Sequence, residues 1–393
     1  MSEVVPSRLR GPFLALFPAL TLLGQLVAAG VVLSQIHVSG ETSYRTAIAT
    51  EWPFSAVPLV LALVLPESPA WLLQKDRHAA AYTAFQQLHG KQHASVHQDL
   101  FDDINKAVTE ERITAQGRKA TYVECFRGTN LRRTFIVVFA NVVPELFGLP
   151  LLGHVSYFLQ IIGMEHDTSF ILLIAGVVLG LLANIGSFWT LLRFGRRLLI
   201  LITLAIVTVL WGSIGVAGCF TGSAVTWYSA AGMMAVIVTA GIGAWPASYV
   251  VSSETSSLRL RSKTQGIGGL LGGVIRCAFG IGFPYLYNPD AADLGAKTAF
   301  IICGTSALAV AITWFAVPEL KGKSAVQIDR VFEKWLGPRR SLTSDWQSDD
   351  SEDNVALRHV PSGSDISTRS DSVQPVSSPP NEPAELLRKR TTF

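Results

Sequence analysis

Charged side chains are scarce in this chain, in which only 16% of the 393 residues are Asp, Glu, Lys or Arg. A soluble domain carries about 25% charged residues, so the deficit indicates a nonpolar solvent around much of the chain. The net charge of +3 is small and scattered, and it predicts no nucleic-acid partner.

Cysteine is also scarce. The four cysteines are far apart in sequence, and their spacing matches neither a metal site nor a disulfide framework; we expect Cys125, Cys219, Cys277 and Cys303 to be small buried hydrophobic residues. The eight histidines show no ligand spacing, and we find no nucleotide-binding loop and no catalytic triad. The sequence therefore predicts neither an enzyme nor a bound metal or cofactor. Residues 1–11 are too polar for a signal-peptide core.

Long apolar runs are what the chain has in abundance. A bilayer core about 30 Å thick is crossed by roughly 20 apolar residues in a helix, and eight segments meet that requirement. Glycine and proline occur inside them, as membrane helices tolerate. We therefore predict an all-α, polytopic membrane protein with spans at about 12–33, 46–65, 135–160, 168–191, 198–219, 226–251, 265–287 and 298–317.

The loops between these segments alternate in charge. Lysine and arginine are concentrated before the first span and in the loops at 66–134, 193–197, 259–263 and 321–323, whereas the alternate loops hold few basic residues. Cytoplasmic loops are the ones enriched in Lys and Arg. The pattern predicts that both termini are cytoplasmic, in agreement with an even number of spans.

The segments outside the spans divide into a linker and a tail. The polar connection 66–134 contains two predicted short helices, at 76–89 and 95–115, so we expect a cytoplasmic helical linker before a six-helix bundle at 135–317. A cytoplasmic segment, 318–336, follows the last span. Ser, Pro and charged residues dominate 337–393, and this composition predicts a disordered cytoplasmic tail.

Five short motifs occur in order along the chain: LGQLVAAG at 23–30, PESPAWL at 66–72, FGRR at 194–197, SETSSLRLRSKT at 253–264 and VPELKGK at 317–323. The second is similar to the PESPRWL motif that follows span six of sugar porters, with Ala70 in the usual Arg position. The last resembles the PETKGR signature after span twelve. Together the motifs resemble the sugar porters of the major facilitator superfamily, most closely the fungal α-glucoside (maltose-type) permeases.

The resemblance implies the twelve-span fold of that superfamily, with about eight of the twelve membrane helices present. Residue 12 would begin span five, so residues 1–65 would be the remnant of an N-terminal bundle, spans five and six. In this family the first bundle helps to form the substrate cavity and carries the acid associated with proton coupling. We expect spans one to four to be absent from this sequence.

The same resemblance implies secondary active transport of a sugar, an α-glucoside or a hexose, by alternating access and coupled to protons in the complete protein. The implied partners are a small-molecule sugar, protons and the lipid bilayer, and the implied location is the plasma membrane. A sugar sensor that does not transport and an inactive truncated transporter are the alternatives. The sequence leaves the oligomeric state open.

Span seven of the family usually offers Gln and Asn side chains to the sugar. Here Pro144, Pro150 and Leu152 take the place of those amides, and Gly176 stands in span eight where Gln is expected. The residues that remain for a substrate cavity are polar, aromatic or charged, and packing or interfacial anchoring is the alternative role for the uncharged ones. This candidate set is Asn141, Glu145, Tyr157, Asn184, Trp245, Tyr249 and Arg276.

Two members of that set, Glu145 and Arg276, are opposite charges within spans seven and eleven, where the family is usually uncharged. A charge inside a membrane span is costly and marks a functional position by default. We predict that the two form an ion pair that faces the cavity. The alternative is a pair of unpartnered charges left by drift in a non-functional copy.

Acids and bases also recur at the predicted cytoplasmic ends of the spans. By the resemblance they form ion pairs that latch the two bundles in the outward-facing state, since such pairs can break and form as the bundles rock. Ordinary anchoring by positive charges is the alternative. The predicted gate residues are Glu67, Arg196, Arg197, Glu254, Arg259, Arg261 and Glu319.

Overall fold

A computed structural model gives the structure of the chain and describes residues 10–35, 38, 40–89, 121–257 and 260–322, with isolated positions at 98, 101–102, 104–105, 108–109, 328 and 332. Apart from two short 3-10 turns, every regular element in these ranges is an α-helix, as the all-α prediction requires. The predicted tail, 337–393, and most of the second linker helix, 95–115, lie outside the described residues.

The described helices include seven segments that are long and apolar enough to cross a membrane. Two of these segments consist of two consecutive helices. In chain order the helices are α1 (Arg10–Gln35), α2 (Glu41–Ala49), α3 (Glu51–Val64), α4 (Pro69–Gln74), α5 (His78–His89), α6 (Gly128–Leu146), α7 (Leu149–Gly153), α8 (Val155–Ile161), α9 (His166–Arg193), α10 (Arg196–Ala217), α11 (Ser223–Ile242), α12 (Ala244–Thr255), α13 (Arg261–Tyr287) and α14 (Ala299–Ala316).

The predicted span at 135–160 is not one continuous helix, and here the prediction was wrong. Pro144 lies inside α6, Gly148 has a left-handed φ of 93°, and Pro150 lies in the first turn of α7. Only glycine adopts that φ at no steric cost, so the helix ends and restarts. The turn is also tightly packed, because a Cβ atom at Gly148 would lie 2.8 Å from Ile302 Cγ2.

Side chains of neighbouring helices satisfy the carbonyls that this break frees. The indole N–H of Trp211, on α10, donates to the Phe147 carbonyl at 2.9 Å. Thr305 and Ser306, on α14, donate to the Leu146 carbonyl at 2.9 and 3.1 Å. Each unsatisfied backbone group in a bilayer costs several kcal/mol, so these donors allow span seven to remain broken within the bundle.

Replacing Trp211 with Phe removes one of these donors while keeping an aromatic ring in a fully buried position. We expect a loss of about 1–3 kcal/mol in stability, the cost of a buried acceptor without its partner, measured as a lower Tm in detergent. Trp189→Phe is the control, since Trp189 is 64% exposed. An unchanged Tm for Trp211→Phe would show that the carbonyl finds another donor.

Span ten is broken in the same manner, between α11 and α12. Gly243 separates the two helices at φ −139° and ψ −77°, and a side chain there would collide with Thr203. Thr190, on α9, donates to the freed Ile242 carbonyl at 2.8 Å. The break places Trp245 and Tyr249 on a short separate helix, α12.

The helices from α6 to α14 share one apolar core. Helix α10 packs against α11, α12 and α14, and α6 packs against α12 and α13. Helix α1 joins this assembly through contacts with α9 and α12. The faces of α6, α12 and α13 therefore meet near the side that α1 covers, and this is where most of the predicted cavity residues lie.

Helices α2 and α3 differ from the others because they bury none of their side chains. Their principal contacts are with α1 and with each other. Trp52 and Leu63 are 75% and 82% exposed. The predicted second span therefore presents an apolar surface that the described part of the chain leaves uncovered.

The linker contains a small core of its own. Leu72 and Leu73 of α4 pack with Ala81 and Ala84 of α5 and with Val108. The predicted helix at 76–89 is confirmed from His78 to His89. Asp76, predicted at its start, instead lies in the preceding turn with a φ of 59°.

The cysteines are less uniformly buried than expected. Cys125 is buried and Cys303 partly buried, but Cys219 and Cys277 are exposed, so the prediction was wrong for these two. An apolar run identifies a membrane segment without showing which of its faces packs inside the bundle. The two exposed thiols lie on faces that the described helices do not cover.

Candidate functional site

Glu145 and Arg276, the charged pair predicted between two spans, meet at the edge of the apolar core. Glu145 lies in the last turn of α6 and Arg276 in the middle of α13. The Arg276 Nε donates to the Glu145 Oε1 at 2.8 Å, which confirms the predicted ion pair. The two side chains differ in burial, since Glu145 is 1% and Arg276 59% exposed. The carboxylate is therefore fixed in the core while the guanidinium reaches its edge.

Two aromatic residues of α12 lie beside this pair. Tyr249 lies near Arg276, and the centroid of its ring is 4.8 Å from that of the Phe17 ring on α1. Trp245 is almost fully buried and packs edge-to-face against Phe147, with 6.2 Å between ring centroids. Tyr249 is thus the aromatic ring that lies between the ion pair and α1, whereas Trp245 packs inside the core.

Asn141, one turn before Glu145, belongs to a hydrogen-bond network that joins three helices. Its Nδ2 donates to the Ser252 Oγ at 2.8 Å, and that hydroxyl donates to the Gln265 Oε1 at 3.0 Å. The Gln265 Nε2 returns a hydrogen bond to the Ser252 carbonyl at 2.7 Å. The network fixes α6, α12 and α13 relative to one another, about one helical turn from the ion pair along α6.

The sequence interpretation missed Gln265 and Ser252. A signal for Gln265 was available, because Gln265, Gly268, Gly272 and Arg276 recur at intervals of three or four residues and so share one face of a helix. That face packs on Asn141, since a Cβ atom at Gly268 would lie 2.7 Å from the Asn141 Nδ2.

Asn184 and Tyr157 lie apart from this group. Asn184 is fully buried in α9, where its Nδ2 donates to the Gly180 carbonyl at 3.0 Å. Tyr157, on α8, donates to the Asn288 Oδ1 at 3.0 Å in the loop after α13. No hydrogen bond or ring contact among the described residues joins either of them to Glu145 or Arg276.

The second cluster lies at the end of the bundle that is predicted to be cytoplasmic. Glu319 accepts hydrogen bonds from the backbone N–H groups of Arg196 and Arg197, at 3.0 and 3.2 Å. These N–H groups begin α10, and a carboxylate suits the positive end of the helix dipole. The segment after α14 is therefore attached to the start of α10, and a side chain at Gly195 would collide with Glu319.

The arginine side chains of this cluster make further contacts. The Arg196 Nη2 lies 3.4 Å from the Glu254 Oε1, and both side chains are largely buried. The Arg197 Nη2 donates to the Trp314 carbonyl at 2.9 Å, and its guanidinium lies over the Trp314 ring. All these contacts lie within the bundle of α6 to α14 and the segment that follows it.

The other predicted gate residues differ in their placement. Arg261 is buried at the start of α13, Glu67 is exposed after α3, and Arg259 lies outside the described residues. The latch between two bundles therefore stays a prediction.

Replacing Glu319 with Ala should release the first N–H groups of α10. We expect a loss of about 0.5–2 kcal/mol, the usual cost of removing a helix cap, and faster amide hydrogen exchange in the first turn of α10. Glu165→Ala is the control, because Glu165 is the acidic residue directly before α9 and makes no side-chain capping bond. Equal exchange in the two variants would leave Glu319 without a capping role.

Comparison with known proteins shows what this arrangement resembles. Residues 1–332 match the family model described as Sugar (and other) transporter. The MFS transporter fmqE of Aspergillus fumigatus is 31% identical over 350 residues, covering 86% of this chain and 63% of that protein. The general alpha-glucoside permease of Saccharomyces cerevisiae is 29% identical over 347 residues, covering 86% and 56%. The chain thus spans about three fifths of the length of these relatives.

The fold is similar to that of solved membrane transporters. The MFS proton:xylose symporter XylE, in a structure with 6-bromo-6-deoxy-D-glucose, matches with a TM-score of 0.68 at 18% identity, over 84% of this chain and 69% of that one. The inward open conformation of XylE from E. coli matches with a TM-score of 0.56 at 18% identity, over 84% and 67%. The expected superfamily fold is confirmed.

Proposed function

The chain belongs to the Sugar (and other) transporter family, and from this premise we propose that the complete protein carries a sugar across a membrane by alternating access, coupled to protons. The proposed cargo is an α-glucoside or a hexose. The observation that carries the proposal is the group of charged and polar residues at the meeting of α6, α12 and α13, on the side that α1 covers. Transporters of this architecture bind substrate near the midplane between two helix bundles.

The comparisons support the cargo class in outline. The yeast relative at 29% identity is an alpha-glucoside permease, and the matching solved fold is that of a proton:xylose symporter. The two broken spans also suit this role, because irregular backbone at membrane depth is tolerated where it is buried in protein or lines a cavity.

The test of transport is the uptake of radiolabelled maltose and glucose in a yeast strain that lacks its own sugar transporters, with the full-length protein expressed. We expect saturable uptake that a protonophore abolishes. Uptake unaffected by the protonophore would remove the proton coupling and keep the transport. Absence of uptake by a protein that reaches the membrane would overturn the proposal.

A sugar sensor is the second candidate, and the loss of amides at Pro144, Pro150 and Gly176 favours it. A sensor would bind a sugar at the same site with no net uptake. Measuring binding and uptake on the same preparation separates the two functions.

The proposal places the protein in the plasma membrane with both termini in the cytoplasm. The alternation of basic and non-basic loops supports this orientation. The Glu319–Arg196 cluster would then lie on the cytoplasmic side, where the latch between the bundles is proposed to act. The partners in this scheme are the sugar, protons and the surrounding bilayer.

A further inference from the structure

Arg276 lies on the inner face of α13. Gly268, Gly272 and Arg276 follow at intervals of four residues, and both glycines pack against Asn141 of α6; a Cβ atom at Gly272 would lie 3.3 Å from the Asn141 carbonyl oxygen. The Arg276 side chain therefore emerges between α6 and α12. Its neighbour Tyr249 contacts Phe17 of α1, so α1 lies next to this part of the site.

The contact with Glu145 uses only a part of the guanidinium. Glu145 accepts from Nε, so the edge formed by the two terminal nitrogens is not occupied by this carboxylate. The Arg276 side chain is 59% exposed although its partner is buried. Tyr249 lies nearby on α12. The arrangement presents a fixed positive charge with donors still available to a ligand.

The surroundings offer little to a neutral sugar. Sugar hydroxyls are bound by several amide and hydroxyl side chains, but Pro144, Pro150 and Gly176 supply none. The amides of Asn141 and Gln265 are engaged with Ser252. The strongest donor near the centre of the site is therefore a guanidinium, which is suited to a planar anion.

We propose that Arg276 binds a carboxylate of the cargo through its terminal nitrogens, and that the cargo is an acidic sugar derivative such as a hexuronate. Two parallel N–H···O bonds between a guanidinium and a carboxylate are strong and geometrically specific. The inference rests on the proposed transport function and replaces its neutral cargo with an acidic sugar derivative. Glu145 is a positioning residue that holds Nε, and Tyr249 borders the bound group.

The charges at the site distinguish the roles of the two residues. The ion pair is neutral, and a bound carboxylate gives the site one net negative charge. Glu145→Gln keeps an oxygen that accepts from Nε but removes one negative charge. This variant should therefore bind an acid at least as tightly as the unmodified protein, whereas Arg276→Gln should bind it weakly.

The test is equilibrium binding of radiolabelled D-glucuronate and D-glucose to the chain in lipid nanodiscs. We expect glucuronate to bind more tightly than glucose. Arg276→Gln should weaken glucuronate binding about ten- to hundredfold, the equivalent of a lost charge-assisted hydrogen bond, and should weaken it more than it weakens glucose binding. Arg276→Lys retains the positive charge without the two parallel N–H donors of a guanidinium. Its affinity for glucuronate should lie between those of the unmodified protein and of Arg276→Gln. Gln and Lys can both still donate to Glu145, so the buried carboxylate keeps a partner in each variant.

Each other outcome overturns the inference. Binding of glucose without a preference for glucuronate would leave the proposed sugar transport in place and remove the acidic cargo. An equal loss of both ligands in Arg276→Gln, or a loss of glucuronate binding in Glu145→Gln, would make the pair structural. Binding of neither ligand would overturn the acidic cargo, whereas the uptake assay with the full-length protein tests the proposed function separately.

Discussion

Uptake of labelled glucose, maltose or glucuronate is expected to stay at background when residues 1–393 are expressed by themselves in a transport-deficient yeast. The physical reason is the state of α2 and α3, which bury none of their side chains within the described chain. Alternating access requires two bundles that rock around a central site. By the resemblance, six predicted spans on one side of the site face two on the other, so we expect residues 1–393 by themselves to leave the site without a complete opposing wall.

The matching gain-of-function experiment supplies that wall. Four additional spans from a sugar-transporting relative, fused before residue 1, should restore saturable uptake and protect cysteines placed at Trp52 and Leu63 from labelling. Saturable, protonophore-sensitive uptake by the 393 residues alone would contradict this expectation. It would require a partner, or a second copy of the chain, that covers α3.

Replacing Arg276 with Leu is expected to cost about 3 kcal/mol in stability, because it leaves the Glu145 charge buried without its partner. Glu145 is 1% exposed, so it has little access to water that could replace the guanidinium. The measurement is the Tm in detergent, together with the fraction of protein that elutes as a single species.

The double variant Glu145→Leu/Arg276→Leu provides the control. Removing both charges should recover most of the lost stability, since a buried ion pair is often replaceable by apolar residues. A double-mutant cycle then gives the coupling energy of the pair. Additive losses would show that the two charges do not stabilise one another, despite the 2.8 Å contact.

The ion pair was predictable from the sequence because charges are rare inside membrane spans and must be paired or solvated. With Glu145 and Arg276 as opposite charges in separate spans, few arrangements were available. The approximate positions of seven of the eight predicted spans followed from apolar length in the same way. Such arguments use the cost of placing a residue in hydrocarbon, which depends mainly on its own chemistry.

The breaks in spans seven and ten were not predicted, although their residues were visible. Pro144, Gly148 and Pro150 each weaken a helix, but membrane helices often continue through such residues. Whether the chain breaks depends on donors elsewhere, in this case Trp211 for the Phe147 carbonyl. A pattern read along one segment does not contain that information.

The contacts of the gate residues were unpredictable for a related reason. Loop charge placed Arg196, Glu254 and Glu319 at the same end of the bundle, and the structure brings them together. The sequence did not show that Glu319 binds the backbone N–H groups at the start of α10. Partner choice depends on distances between helices, which neither composition nor periodicity specifies.

The donors at the two breaks have a consequence for the evolution of the family. Trp211, Thr305 and Thr190 lie on helices other than the ones they complete, so selection on each donor depends on a glycine far away in sequence. Relatives that keep a glycine at the position of Gly148 should conserve a hydrogen-bond donor opposite it. Lineages that lose the glycine and regain a continuous helix should be free to replace Trp211 with an aliphatic residue, and this paired variation can be sought in an alignment.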